Sequence, residues 1–341
     1  MTKVTIYGAG IFGLSIAFEC LKRGATVTVI DPNGVAAGSS GGLVGALAPH
    51  VPENWNAKKA FQFESLLMAE GFWAEVAKTS GRKTGYTRQG RIQPLADDAA
   101  IALAKTRGEN AKTLWQGHAT WSIVDHATFA PISPTGLYIY DTLSAHIHPR
   151  TATHALAEAV KTLGGRIVAE APPEGILLYA TGVSDLVQIS QARPRLFGNG
   201  VKGQALLLDY DARGQAQIFA DTVHIVPHND GTTAIGSTSE RDYSDPTSCD
   251  AQLETVLARA IAAVPALKDV PILERWAGVR PRSRSRAPVL GKHPLHQDAF
   301  IANGGFKIGF GMAPKIAQVM ADLILDNHDT VPDDFRPEQS F

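Results

Sequence analysis

Sulfur and net charge are both scarce in this sequence. Its 341 residues include two cysteines, Cys20 and Cys249, too few for a disulfide framework or a four-thiolate metal site. Neither sign of charge dominates, with 32 Lys and Arg against 33 Asp and Glu. That excludes a whole-chain basic footprint for nucleic acid and leaves only a local patch as a means of touching one. No apolar run is long enough to span a bilayer. The basic, apolar and small-residue succession of a secretory signal is missing, because Lys3 leads directly into a strand-like run and then glycines. A cytoplasmic location is therefore expected. The 19% charged and 44% hydrophobic residues exclude disorder and fibrous repeats. The length suits about two domains with real cores.

What is present starts at once. Residues 4–7 are rich in strand formers, and Gly8, Ala9, Gly10, Ile11, Phe12 and Gly13 match G-x-G-x-x-G. The motif alone is weak, but its context is complete. A helical run over 14–23 stops at Gly24, and a second strand over 25–30 ends on Asp31, 18 residues after Gly13. The dinucleotide fingerprint asks for an acid about 20 residues on, to bond ribose hydroxyls. The glycines serve a tight turn, close approach of a pyrophosphate and helix–strand packing, and the helix N-terminus faces the phosphates. Asp31 would repel a 2′-phosphate, which disfavours NADP. Ser39, Ser40, Gly42 and Leu43 lie in a glycine- and serine-rich stretch that either approaches the same pyrophosphate or is a plain flexible loop. Cys20, inside the first helix, reads as a small core residue.

Further along, helices are expected over 57–79, 97–116, 151–163, 252–263 and 314–325, the last starting at Pro314. Strands are expected over 85–95, 137–140, 166–169 and 176–180, and consecutive antiparallel strands over 205–209, 217–220, 223–227 and 232–236, with a last strand at 300–302. The chain thus opens and closes with β–α material and carries antiparallel material between. We expect an α/β protein in which a discontinuous Rossmann-type domain (1–84, 145–200 and 271–341) is interrupted by an α+β substrate domain with an antiparallel sheet (85–144 and 201–270).

Four motifs together resemble the D-amino-acid oxidase superfamily of flavoproteins. They are Gly8 to Gly13 with Asp31; residues 37–42 running to 46–50; Trp276, Ala277, Gly278, Val279, Arg280 and Pro281 running to 287–291; and Asn303, Gly304, Gly305, Phe306, Lys307, Ile308 and Gly309 before Pro314. Smaller echoes lie at 201–204 and 235–238. The resemblance covers nearly the whole chain and looks nearest to glycine oxidase and to the oxidase half of the bifunctional tRNA methylaminomethyluridine enzyme. It implies non-covalent FAD, because neither cysteine and no early histidine lies at the attachment positions of covalent relatives. It implies oxidation of an amine or amino acid to an imine that water hydrolyses, with the chemistry supplied by the flavin.

Carried over residue by residue, the resemblance places Gly8, Gly10, Ile11, Phe12, Gly13, Asp31, Ser39, Ser40, Gly42, Leu43, Val168, Ala180, Thr181, Gly182, Gly278, Gly304, Gly305, Phe306, Lys307 and Ile308 around FAD. Arg280 falls on the arginine that grips a substrate carboxylate, a role suited to a planar fork donor. Lys307 stands where the pattern often has arginine, and His224 stands where glycine oxidase carries a substrate-facing tyrosine. His224 either bonds substrate or is a satisfied structural histidine. The short link between the strands at 166–169 and 176–180 implies that the family's small β-hairpin is missing.

Arg280, Arg282, Arg284 and Arg286 alternate, so an extended chain would stack them on one face. Either they receive an acidic substrate, or they diverge at Pro281 and pair with surface acids; the second is preferred. The expected partner is a small amine or amino acid, with an acidic one in view. No membrane is expected, nucleic acid is disfavoured, and a homo-oligomer is left open. Oxygen is the expected electron acceptor. The alternatives are a flavin dehydrogenase with another acceptor, a tRNA-modifying FAD oxidoreductase and a non-catalytic dinucleotide-binding protein.

Overall fold

The computed structural model describes residues 1–341. The first half runs β1 (Lys3–Tyr7), α1 (Ile11–Lys22), β2 (Thr26–Ile30), β3 (Ala46–Leu47), α2 (Ala57–Ser80), β4 (Arg91–Pro94), α3 (Asp98–Leu114), β5 (Trp121–Val124), β6 (Tyr138–Asp141), β7 (Ala145–His146) and α4 (Pro149–Thr162). The second half runs β8 (Arg166–Val168), β9 (Ile176–Tyr179), α5 (Val183–Gln191), β10 (Gly198–Leu208), β11 (Gln217–Ala220), β12 (Val223–Pro227), β13 (Thr233–Gly236), α6 (Ala251–Ala263), β14 (Ile272–Ser283), β15 (Val289–Lys292), β16 (Ala299–Asn303) and α7 (Gly309–Asp326).

Two sheets dominate. The first has the order β15-β16-β9-β1-β2-β8 and is parallel except for the β15–β16 pair. Its central strands bury Val4, Ile6, Val27 and Val29 to 1% exposure or less, as strands covered on both faces must. Helices α1, α2, α4 and α7 pack against one another beside it, and their apolar side chains join those of the strands in one large core. The link between β8 and β9 contains no strand, so the expected loss of a hairpin there is observed. Cys20 is fully buried in α1, and burial pushes its thiol up to about 12, which leaves it inert.

The second sheet has the order β14-β10-β13-β12-β11-β4-β6-β5. It is antiparallel apart from the β11–β4 pair. A separate core under α6 backs it, centred on Leu206, Ile218, Ile225 and Leu253.

Several features differ from the sequence reading, among them short strands β5 and β15, which it did not expect. Helix α7 starts at Gly309 and carries Pro314 in its interior, so the proline is not a start signal here. Strand β10 begins at Gly198 and pairs along nearly its whole length with β14, two long strands that glycine and polar residues had hidden. Helix α5 was not foreseen at all. No helix is long and apolar enough to cross a membrane.

Candidate active site

A cavity of about 840 Å³ lies between the two sheets. At the first sheet its wall is the β1–α1 turn. Gly8 has φ +107°, and a Cβ there would lie 2.3 Å from the Ala180 carbonyl oxygen; a Cβ at Gly13 would lie 2.0 Å from that of Gly8. These two glycines let the turn pass against β9 and seat α1 on β1. Gly8 and Gly10 both line the cavity. Helix α1 points its N-terminus here, where first-turn amides lack intrahelical partners. The Ile11 amide donates to Ser40 Oγ at 2.9 Å. Asp31 fixes the turn: its Oδ2 accepts from the Ala9 amide at 2.9 Å and its Oδ1 from that of Asn33 at 3.0 Å.

The loop around Ser39 to Gly42 is clamped from behind. Thr153 Oγ1 donates to the Ser40 carbonyl at 3.2 Å, and Arg150 Nε to that of Gly41 at 3.0 Å. Arg150 is in turn held by both oxygens of Glu274, at 3.0 and 2.7 Å. The result is a glycine-rich cradle at a helix N-terminus, beside a carboxylate suited to hydroxyls. That donor set, and the length of the cavity running from it, fit a dinucleotide with its pyrophosphate at α1.

The part of the cavity walled by the second sheet is chemically different. Arg280 on β14 enters it with its guanidinium fixed: Nη1 donates to Ser237 Oγ at 2.8 Å, and Nη2 to the carbonyls of Thr238 at 2.7 Å and Lys202 at 3.2 Å. Its Nε is buried without a partner. Burial pushes this guanidinium down to about 10, opposed by Glu240, so it stays charged at neutral pH. Behind it Gln204 donates to Glu240 at 3.0 Å and to Asp250 at 2.9 Å, and Thr238 Oγ1 donates to Glu240. Lys307, just after β16, also faces the cavity, and burial with the nearby Arg280 and Arg282 lowers its ammonium. His224 on β12 packs on Phe219 with ring centroids 4.6 Å apart. Burial, helped by Arg91 and Lys307, drives it down to about 3, so the ring is neutral; its Nδ1 is buried without a partner.

Arg280, Lys307 and His224 thus line one cavity, and so do most of the residues expected around the cofactor. Gly13, Val168, Gly304 and Ile308 do not line it. Gly13 acts through packing, and the Val168 carbonyl accepts from the Asp31 amide at 3.0 Å. The sequence reading missed Tyr7, Phe219, Ser237 and Trp276 as lining residues. The signal for Trp276 and Ser237 was available, since both sit inside or beside the motifs that carried the resemblance.

The arginine ladder is corrected in part. Pro281 stays within β14, where Phe306 donates its amide to the Pro281 carbonyl at 3.0 Å. Divergence comes later, after Ser283: Arg284 bonds the Phe341 carbonyl at 2.5 Å, and Arg286 lies beyond the strand at φ 60°. None of the four arginines pairs with a carboxylate. The reason is local, because β14 is an edge strand whose proline costs no ladder bond, so the chain has no cause to turn at Pro281.

A parallel sheet with a phosphate-facing helix, joined over one cavity to an antiparallel sheet bearing cations, is the framework of an oxidoreductase that works with a bound dinucleotide. The chain belongs to the FAD dependent oxidoreductase family, DAO, whose family model matches residues 3–323. The cofactor is therefore FAD. The chain is 22% identical to the glycine oxidase of Bacillus subtilis, over 95% of this chain and 93% of that protein. It is 26% identical to the bifunctional protein ThiO/ThiG of Trichormus variabilis over 96% of this chain, and it spans about half the length of that relative, 53%. Among solved structures, the glycine oxidase of Geobacillus kaustophilus superposes with TM-score 0.81 at 19% identity, covering 98% of this chain and 97% of that one. Iminodiacetate oxidase from Chelativorans superposes with TM-score 0.86 at 18% identity, covering 98% of both.

Proposed function

We propose that this protein is an FAD-dependent oxidoreductase that converts the CH–NH group of a small amino acid to an imine, with oxygen as the electron acceptor. The observation that carries the reading is the charge distribution of the cavity. Asp31, at the end of β2, is its one carboxylate, whereas Arg280 and Lys307 place two cations beside a neutral His224. The glycine oxidases among the relatives agree in kind.

In this reading Gly8, Gly10, Ile11, Phe12, Ser39, Ser40 and Gly42 hold the pyrophosphate, and Asp31 the ribose. Gly278, Gly305 and Phe306 flank the ring end. When bound, FAD supplies the two-electron acceptor for the amine-bearing carbon. Arg280 grips the substrate carboxylate, its guanidinium already oriented by Ser237, Thr238 and Lys202 so that little ordering remains at binding. Lys307 adds a second positive charge without the fork geometry of an arginine. The same two cations disfavour an ammonium beside them, so the substrate amine is held in its neutral, oxidisable form. His224 offers an uncharged ring to bond the amine. No side chain is assigned as a base, because no carboxylate stands at this end of the cavity.

The test is an anaerobic spectral titration of the yellow holoenzyme with glycine, sarcosine, and D- and L-amino acids. Bleaching by one of them, reversed by air with release of peroxide, is the expected result. Bleaching that air does not reverse would move the chain to the dehydrogenases. A flavin that no amine bleaches would defeat the reading.

A further inference from the structure

Three cations converge on one aromatic ring beside the cavity, and none of them forms an ion pair with a carboxylate. Arg280, Arg282 and Lys307 surround one ring, with Arg280 Cζ 5.7 Å, Arg282 Cζ 5.4 Å and Lys307 Nζ 5.8 Å from the Phe306 centroid. Burial, with Arg286 and Arg241 adding to it, lowers Arg282; burial, with Arg286 adding to it, lowers Lys58, whose Nζ donates to the Arg286 carbonyl. Elsewhere in the chain Arg23, Arg91, Arg107, Arg150, Arg275 and Arg336 each hold a carboxylate within 3.3 Å. Convergent like charges repel, so a cluster of this kind at a cavity mouth is stabilised when an anion joins it.

Building on the amino acid oxidoreductase reading, we propose that the substrate carries two anionic groups, the second held by Arg282 beside the Phe306 ring. Arg280 and Arg282 are two residues apart on β14 and share its Phe306 side. Residues two apart in a strand stand about 6.6 Å apart, a spacing that one small two-headed molecule bridges. Phe306 lies within cation–π distance of both guanidinium groups. The cluster does not continue as a track over the surface, because Arg284 turns away to the Phe341 carbonyl. A compact dianion therefore suits it better than a nucleic-acid backbone, which needs an extended row of cations.

The experiment is binding of acetate and malonate to the holoenzyme, read by perturbation of the flavin spectrum and by calorimetry, with no turnover required. Malonate is expected to bind at least about tenfold more tightly than acetate, a margin in keeping with added charge-assisted contacts. In Arg282→Ser and in Arg282→Gln that margin is expected to shrink to about threefold or less. Retention of flavin and of the melting temperature checks the fold of each variant. Equal affinity for the two acids, or a malonate advantage that survives both substitutions, overturns the proposal. The outcome is independent of the amine chemistry: a malonate preference lost in the variants supports the second anion subsite even if no amine bleaches the flavin.

Discussion

The indole of Trp276 lies so close over Gly278 that a Cβ at residue 278 would fall 2.4 Å from Cζ2 and 2.6 Å from Cη2. A Cβ at Gly42, in the phosphate-side loop, would fall 3.2 Å from the same Cη2. The ring thus touches both β14 and the phosphate-side loop. Overpacking of this kind costs about 1–3 kcal/mol. Gly278→Ala is accordingly expected to push the indole into the cavity and weaken FAD binding about tenfold. Fluorescence titration of the apoprotein with FAD measures it; unchanged affinity with unchanged tryptophan emission would show that the ring does not border the cofactor.

Arg280 owes its direction to three acceptors shared between its two Nη atoms. Arg280→Leu is expected to raise KM or lower kcat/KM for a carboxylate-bearing amine by about tenfold to a thousandfold, the loss of a buried charge-assisted contact. Arg280→Lys should recover little of it, because the fork geometry is lost. Steady-state kinetics with glycine or the best amine found decides the matter, and a wild-type KM in either variant would remove the residue from the site.

Three buried histidines make the fold acid-sensitive. Burial holds His146 down to about 4, and His224 and His228 down to about 3, from an ordinary value of 6.5. Between those values and 6.5 the unfolded chain binds protons that the folded one refuses. Stability is therefore fully present above pH 6.5 and falls as pH drops below it, by about 1.4 kcal/mol per pH unit for each such group. Melting temperature measured from pH 7.5 to 4.5 should decline steeply, and His146→Phe should flatten the slope. A slope identical to wild type would count against a neutral buried His146.

The same neutrality predicts something about rate. His224 does not titrate between pH 5 and 9 if its value is about 3, so the pH profile of kcat/KM should keep its shape in His224→Gln while its height falls. Loss of a limb in the variant would mean that His224 ionises during turnover.

Arg91 and Asp141 form a fully buried pair across the β4–β6 register, Nε to Oδ2 at 2.9 Å. Removing one partner of such a pair leaves the other charge stranded and costs about 3–5 kcal/mol. Asp141→Ala should lower the denaturant midpoint by a corresponding amount, whereas the exposed pair Lys112–Glu109 should tolerate Glu109→Ala almost unchanged. Similar midpoints for the two variants would refute the distinction.

Much of the site could be read from residues alone where a local rule was decisive. The β1–α1 turn is such a case, since glycine spacing, flanking strands and the acid at Asp31 are all short-range signals. Arg280, Lys307 and His224 came through motifs, and the cavity holds all three. What escaped depended on tertiary contact. Strand β10 begins with Gly198, Asn199 and Gly200, residues with poor strand preference, and its pairing with β14 supplies what propensity does not. Helix α7 opens with Gly309 and Gly311 and tolerates Pro314 because its packing against α1 and α2 outweighs weak intrinsic helicity. The buried support of Arg280 by Gln204, Glu240 and Asp250 joins residues up to 46 positions apart, and no local pattern announces such a network.

The order of strands in the first sheet has a consequence for how the chain is made. Its central strand, β1, is synthesised at the start, yet its neighbour β9 follows some 170 residues later and β16 comes only at Ala299–Asn303. At ribosomal rates of about 5–20 residues per second, β1 and β2 wait on the order of tens of seconds for the rest of their sheet. Throughout that interval the edge of β1 that will meet β9 is unpaired and apolar, a template for pairing with another nascent chain. Slower elongation should therefore lower the yield of folded protein, and chaperones that shield strand edges should raise it.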